Sequence, residues 1–129
     1  MPERKDGNKL KKIMNDPSNI VEEMLEGLVK SYPELVHRVE SSRVVAKNQK
    51  SEQVGLVSGG GSGHEPSHAG FVGEGMLSAA VLGDVFTSPT PDQIQTAIKE
   101  ADSGKGVLLI VKNYTGDALN FDMAKELAA

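Results

Sequence analysis

Cysteine and tryptophan are absent from this 129-residue chain, and aromatic residues make up only 4% of it. The lack of cysteine excludes disulfides, thiol nucleophiles and thiolate metal sites, and it fits a reducing, cytoplasmic setting. With so few rings and no tryptophan, the chain offers no platform on which nucleic-acid bases could stack. Positive charge is not in excess either. Lys and Arg total 14 against 18 Asp and Glu, a net charge of −4, which is not the footprint of a DNA or RNA binder. No apolar run is long enough for a membrane-spanning helix. The start, MPERKDGNKLKK, has no apolar stretch behind it that would make a signal peptide. Neither nucleic acid nor membrane is therefore an expected partner. What remains, at 38% hydrophobic residues, is a folded domain with a modest core. Residues 1–11 read as a polar leader without order, and residues 12–129 as one α/β domain.

Glycine, by contrast, is concentrated in one place: Ser58 to His68 reads SGGGSGHEPSH. Glycine loses more conformational entropy on folding than any other residue. A cluster of it beside a histidine therefore points to main chain that a ligand approaches closely. The stretch reads as a loop over Gly59–Pro66, fed by a buried strand over Gln53–Val57. It is not a Walker A loop, because Gly63-His64-Glu65 stands where Gly-Lys-Ser/Thr is needed. Nor is it a dinucleotide fingerprint, since His64 occupies the third glycine position. His64-Glu65-Pro66-Ser67-His68 matches the zinc-protease pattern in its letters. That pattern needs both imidazoles on one helical face, and Pro66 would break the helix. No metal is expected, and a zinc hydrolase is a minor alternative.

Along the chain, Asp16-Pro17 marks a helix start, and Ile20, Met24 and Leu28, with Val21 and Leu25 beside them, carry the helix to about Lys30. Val44-Val45 reads as a short strand. Gly70 to Val85, rich in small residues, reads as a tightly packed helix or mixed segment. After the turn Ser88–Pro91, Thr90, Pro91 and Gln93 form a capping-box start. Ile94, Ala97, Ile98 and Ala101 then define one buried face. The run Val107–Val111 suits a parallel strand buried on both sides, and Lys112–Asp117 is the turn after it. A last helix carries Leu119, Met123 and Leu127 on one side. It reaches Ala128-Ala129 with no glycine or asparagine cap, which reads as a piece of something longer.

This order predicts an α/β fold: a parallel-type sheet with flanking helices and ligand loops at the strand C-terminal ends. The two polar loops at such ends are Gly59–Pro66 and Lys112–Asp117. If their strands are neighbours, His64 and Asp117 face one crevice. An Asp in this position commonly caps a helix. Paired with His64 across a crevice, it reads instead as an acceptor for a bound hydroxyl and a general base. Lys112 reads as a surface residue or as a donor at the same loop edge. Tyr114 and Thr115 contribute hydroxyls or only make the turn. His68 is structural or steadies His64. His37 reads as solvent-facing without a role, and Glu22, Glu23 and Lys30 as a solvated helix face. Backbone N–H groups, an imidazole, a carboxylate and an ammonium suit a small polyhydroxylated or carbonyl ligand.

Three blocks in order carry a resemblance to a known family. They are KKIMNDPSNIVEEMLEGL, LVSGGGSGHEPSHAGFVGEGMLSAAVLGDVFTSPTPDQI and GVLLIVKNYTGDALNF. Together they are spread over the chain from Lys11 to Phe121. The chain resembles the N-terminal portion of the substrate-binding (K) subunit of dihydroxyacetone kinases. The resemblance implies binding of dihydroxyacetone and phosphoryl transfer to its terminal hydroxyl. It implies substrate contacts from Gly61, Ser62, Gly63, His64, Lys112 and Asp117, with His64 and Asp117 catalytic. It also implies a homodimer, and a phosphoryl donor supplied from outside this sequence. That donor is held by a phosphocarrier-fed, nucleotide-binding (L) subunit or by a fused ATP domain, so no cofactor is expected on this chain. A non-enzymatic, coactivator-like relative that binds the same ketone is the alternative. In the family the ketone is tied covalently to a histidine in a later part. His37, His64 and His68 are the histidines here, and none matches that position, so the chain reads as truncated and inactive, or nearly so, alone.

Overall fold

The structure is a computed structural model that describes residues 10–129; residues 1–9, most of the expected leader, lie outside the described residues. Helix α1 (Ile20–Ser31) is followed by strands β1 (Val36–Arg38), β2 (Val44–Lys47), β3 (Gly55–Ser62) and β4 (Ala79–Val85). Helix α2 (Pro91–Ala101), strand β5 (Val107–Ile110) and helix α3 (Thr115–Ala128) complete the chain. The strands form one five-stranded sheet in the order β1-β2-β4-β3-β5. Three adjacent strands, β4-β3-β5, are parallel. The β1–β2 hairpin adds antiparallel to the free side of β4. The α/β class and the parallel strands are as expected, and the hairpin makes the sheet mixed.

Asp16 caps the entry to the first helix by accepting from the Ser18 N–H at 2.8 Å. A 3₁₀ turn over Pro17–Asn19 comes first, and α1 starts at Ile20. Val21 and Leu25 bury the centre of its apolar face against Val36, Val45 and Leu82. The opposite face of the sheet carries the larger core, in which Ile94, Ala97 and Ala101 of α2 and Phe121 and Ala124 of α3 pack on Val44, Val57, Ala79 and Val81.

Four local expectations change, and the packed side of the last helix is identified. Ala79–Val85, inside the segment read as a helix or mixed, is a strand at the heart of the sheet. Its small residues suit either state, and pairing on both sides with β2 and β3 decides it. The glycines are not a loop: β3 runs on through Gly59, Gly60 and Gly61 to Ser62, all buried. The capping box does not form. Thr90 makes no side-chain cap bond, and Gln93 Oε1 instead accepts from the Arg43 N–H at 2.9 Å. Strand β5 is parallel to β3 but lies at the sheet edge, with Leu108 and Ile110 exposed. In α3 the side carrying Leu119, Met123 and Leu127 faces outward; Asp117, Phe121 and Ala124 are its buried residues.

Two surface readings change as well. His37 is tied on both ring nitrogens, to Asn48 Oδ1 at 2.8 Å and Glu100 Oε1 at 3.0 Å. It therefore joins the β1–β2 hairpin to α2. Glu22 is not merely part of a solvated face but the hub of ion pairs with Arg38 and Arg43, and Arg43 also pairs with Asp84. The Arg38 guanidinium, first among these partners, holds the Glu22 carboxyl below its usual range. Among the described residues no helix is long and apolar enough to cross a membrane.

Candidate functional site

Because β3, β4 and β5 are parallel, their carboxyl ends open on one edge of the sheet, where ligands bind in such folds. Gly61, His64, Phe86, Ser88, Lys112, Tyr114 and Asp117 line a cleft of about 310 Å³ there. The three strand ends and the start of α3 all contribute to it. The structure thus brings together Gly61, His64, Lys112 and Asp117, predicted from two separate loops. It does not bring Ser62 or Gly63 to the wall. The Ser62 hydroxyl is buried and donates to the Gly83 carbonyl at 2.8 Å, tying β3 to β4. The Gly63 N–H is 3.1 Å from both carboxylate oxygens of Glu65, so that donor is already taken.

Asp117 sits in the first turn of α3, where free N–H groups and the helix dipole favour an anion. Its residue exposure is 2%, and Oδ1 has no hydrogen-bond partner among the described residues. A buried oxygen without a partner is costly, and this one belongs to a residue of the cleft wall. Across from it, the Lys112 ammonium lies 5.1 Å from the Tyr114 ring centroid, a cation–π arrangement that holds the charge near the cleft. Phe86 meets the His64 ring edge-on, with centroids 5.3 Å apart.

His68 stands behind the site. A side chain at Gly60 would meet Lys112 at 2.9 Å and the His68 ring at 3.1 Å. Both side chains thus share the space that Gly60 leaves. Burial pushes the His68 imidazole below its ordinary value, and the Lys112 charge pushes the same way against the opposing pull of Asp117. Residues 63–68 form turns rather than a helix, so His64 and His68 do not share a helical face as a zinc-protease site would require.

Phe86 and Ser88 are the cleft residues that sequence reasoning passed over. Reading Ala79–Val85 as a parallel strand would have exposed them, because Phe86 then falls at a third carboxyl end beside His64.

A family model described as "Dak1 domain" matches residues 26–129. The dihydroxyacetone-binding subunit DhaK of a PTS-dependent dihydroxyacetone kinase from Listeria innocua is 69% identical over 120 residues. The match takes in 92% of this chain and 36% of that protein. Among solved structures, dihydroxyacetone kinase from C. freundii superposes with a TM-score of 0.86 at 46% identity, over 92% of this chain and 23% of that one. A dihydroxyacetone kinase operon co-activator, DhaQ, superposes with a TM-score of 0.79 at 44% identity, over 83% of this chain and 33% of that one. The chain spans about a third of the length of the curated DhaK relatives it matches.

Proposed function

The chain belongs to the Dak1 domain family, and we propose from that premise that it binds dihydroxyacetone and presents a terminal hydroxyl of it for phosphoryl transfer. The observation that carries the reading is the partnerless Oδ1 of Asp117, a buried residue on the wall of the cleft that also holds His64 and Lys112. A hydroxyl donated to that oxygen would satisfy it. The hydroxyl oxygen then forms the new bond to phosphorus as the bond to the donor's leaving group breaks, and its proton passes to the Asp117 carboxylate. Such transfer depends mostly on placing the acceptor hydroxyl and its proton acceptor. His64 hydrogen-bonds the ketone and acts as acid and base, Lys112 faces its remaining oxygens, and the Gly61 backbone closes one wall.

The phosphoryl group comes from a nucleotide-binding subunit fed by a phosphocarrier, or from an ATP domain, and the reaction is cytoplasmic in this reading. Covalent capture of the ketone falls to a histidine beyond His37, His64 and His68. The assembly is a homodimer in this reading.

The likeness to the DhaQ co-activator supports a second reading, a protein that binds the ketone without phosphorylating it. One experiment separates the two. The complete protein is incubated with its nucleotide-binding partner, the phosphoryl donor and dihydroxyacetone. Formation of dihydroxyacetone phosphate is expected. Ketone binding with no product would overturn the kinase reading and leave the co-activator one.

A further inference from the structure

Phe86, the residue after β4, has a conformation that a bulky residue rarely adopts, with φ +54. Such geometry is unfavourable and persists only where the surroundings over-determine it. They do so here from two sides. The Phe86 N–H donates to the Ser62 carbonyl at 2.8 Å, and the next N–H, of Thr87, to the Asp84 carbonyl at 3.0 Å. The glycines opposite leave room for both parts of the residue. A side chain at Gly61 would lie 2.6 Å from the Thr87 nitrogen and 3.0 Å from the Phe86 main chain. One at Gly63, itself at φ +106, would lie 2.6 Å from the Phe86 ring.

Burial does not explain the ring. Phe86 is 72% exposed and belongs to neither core cluster. Its aromatic contact is His64, edge-on at 5.3 Å, an arrangement that attracts through the ring quadrupole. It is also the large apolar side chain on a cleft wall otherwise made by His64, Ser88, Lys112, Tyr114, Asp117 and the Gly61 backbone. The fold thus holds an exposed aromatic in an unfavourable backbone state, with two glycines cleared around it, at the ligand cleft.

We propose that Phe86 is the positioning and size-determining residue of this cleft: it fixes the orientation of the His64 imidazole and forms the apolar wall that limits the carbon skeleton admitted. The proposal rests on the ketone-binding reading above. A wall of this kind discriminates one added methylene by about 10-fold or more.

The test uses Phe86→Gly and Phe86→Tyr in the complete kinase, with dihydroxyacetone and a four-carbon hydroxyketone as probes. Glycine takes a positive φ freely, so Phe86→Gly should keep or raise the thermal midpoint. It should raise KM for dihydroxyacetone about 10-fold and shrink the preference over the four-carbon ketone by a similar factor. Phe86→Tyr, which keeps the ring, should stay within about 2-fold of the parent on both counts. A Phe86→Gly protein with a lowered midpoint and unchanged KM and preference would overturn the proposal and make Phe86 a residue of the fold. If the parent protein itself neither binds nor phosphorylates dihydroxyacetone, it is the functional reading that fails. The Phe86 proposal, which rests on that reading, is then overturned with it, whereas a parent that handles dihydroxyacetone beside a Phe86→Gly protein with unchanged KM and preference overturns the Phe86 proposal alone.

Discussion

Two groups of charged side chains flank the Ser88 turn. In the first, Glu22 pairs with Arg38 and Arg43, and Arg43 with Asp84. Every charge has a partner, and the pairs tie α1, β1, the start of β2 and the end of β4 together. In the second, His64, Lys112 and Asp117 face a cleft, and among the described residues no ion pair joins them. Asp117 Oδ1 has no hydrogen-bond partner at all. Paired charges hold elements in register and add modestly to stability. An orphaned, buried carboxylate oxygen subtracts from it. The first group is therefore architecture, and the second costs stability, as the ketone site proposed above would.

Asp117→Asn tests this contrast with the largest effect. The amide keeps the shape but not the proton acceptor. In the complete kinase, turnover should fall at least about 100-fold while ketone affinity changes far less. Steady-state kinetics with parallel binding titrations measure both, and unchanged turnover would remove Asp117 as the base. In the other group, Glu22→Gln should cost about 1 kcal/mol of stability in denaturant unfolding, a modest value because the carboxylate is 40% exposed. Ketone binding should not change. Because its pairing with arginine lowers the Glu22 pKa, this contribution is present above 4.5 and is lost as pH falls through the folded-state value.

The smallest effect is expected at His68. Its folded-state pKa lies below 6.5, so the unfolded chain takes up a proton that the folded chain does not. Stability should then fall with pH below 6.5, until the folded imidazole also protonates. Thermal midpoints between about pH 7.5 and about pH 5.5, compared with those of His68→Asn, would show a flatter slope in the variant. An identical slope would mean that His68 does not titrate in this window.

Much of the site was legible because it follows from topology. Apolar runs at Val54–Val57 and Val107–Val111, each followed by a polar stretch, were enough to bring His64 and Asp117 to one cleft. What stayed hidden depends on contacts between distant residues. The glycine run looks like a loop by local rules, since glycine weakens a strand interior. The close approach of the chain at Val81 and Phe86–Thr87 makes it a strand instead. Ala79–Val85 carries no periodicity that separates strand from helix, and pairing with β2 and β3 settles it. The Leu119, Met123, Leu127 stripe has helical spacing, but α3 turns Phe121 and Ala124 to the core. Gln93, a good capping residue by position, accepts from Arg43 instead.

The contrast between the two groups is tested most directly by titrating dihydroxyacetone into the isotopically labelled complete protein and following residue-resolved NMR shifts. The account predicts changes at Gly61, His64, Phe86, Lys112 and Asp117, with Glu22, Arg38 and Arg43 unmoved. Shifts centred on the Glu22–Arg43 group, or none at His64 and Asp117 at saturating ketone, would contradict it.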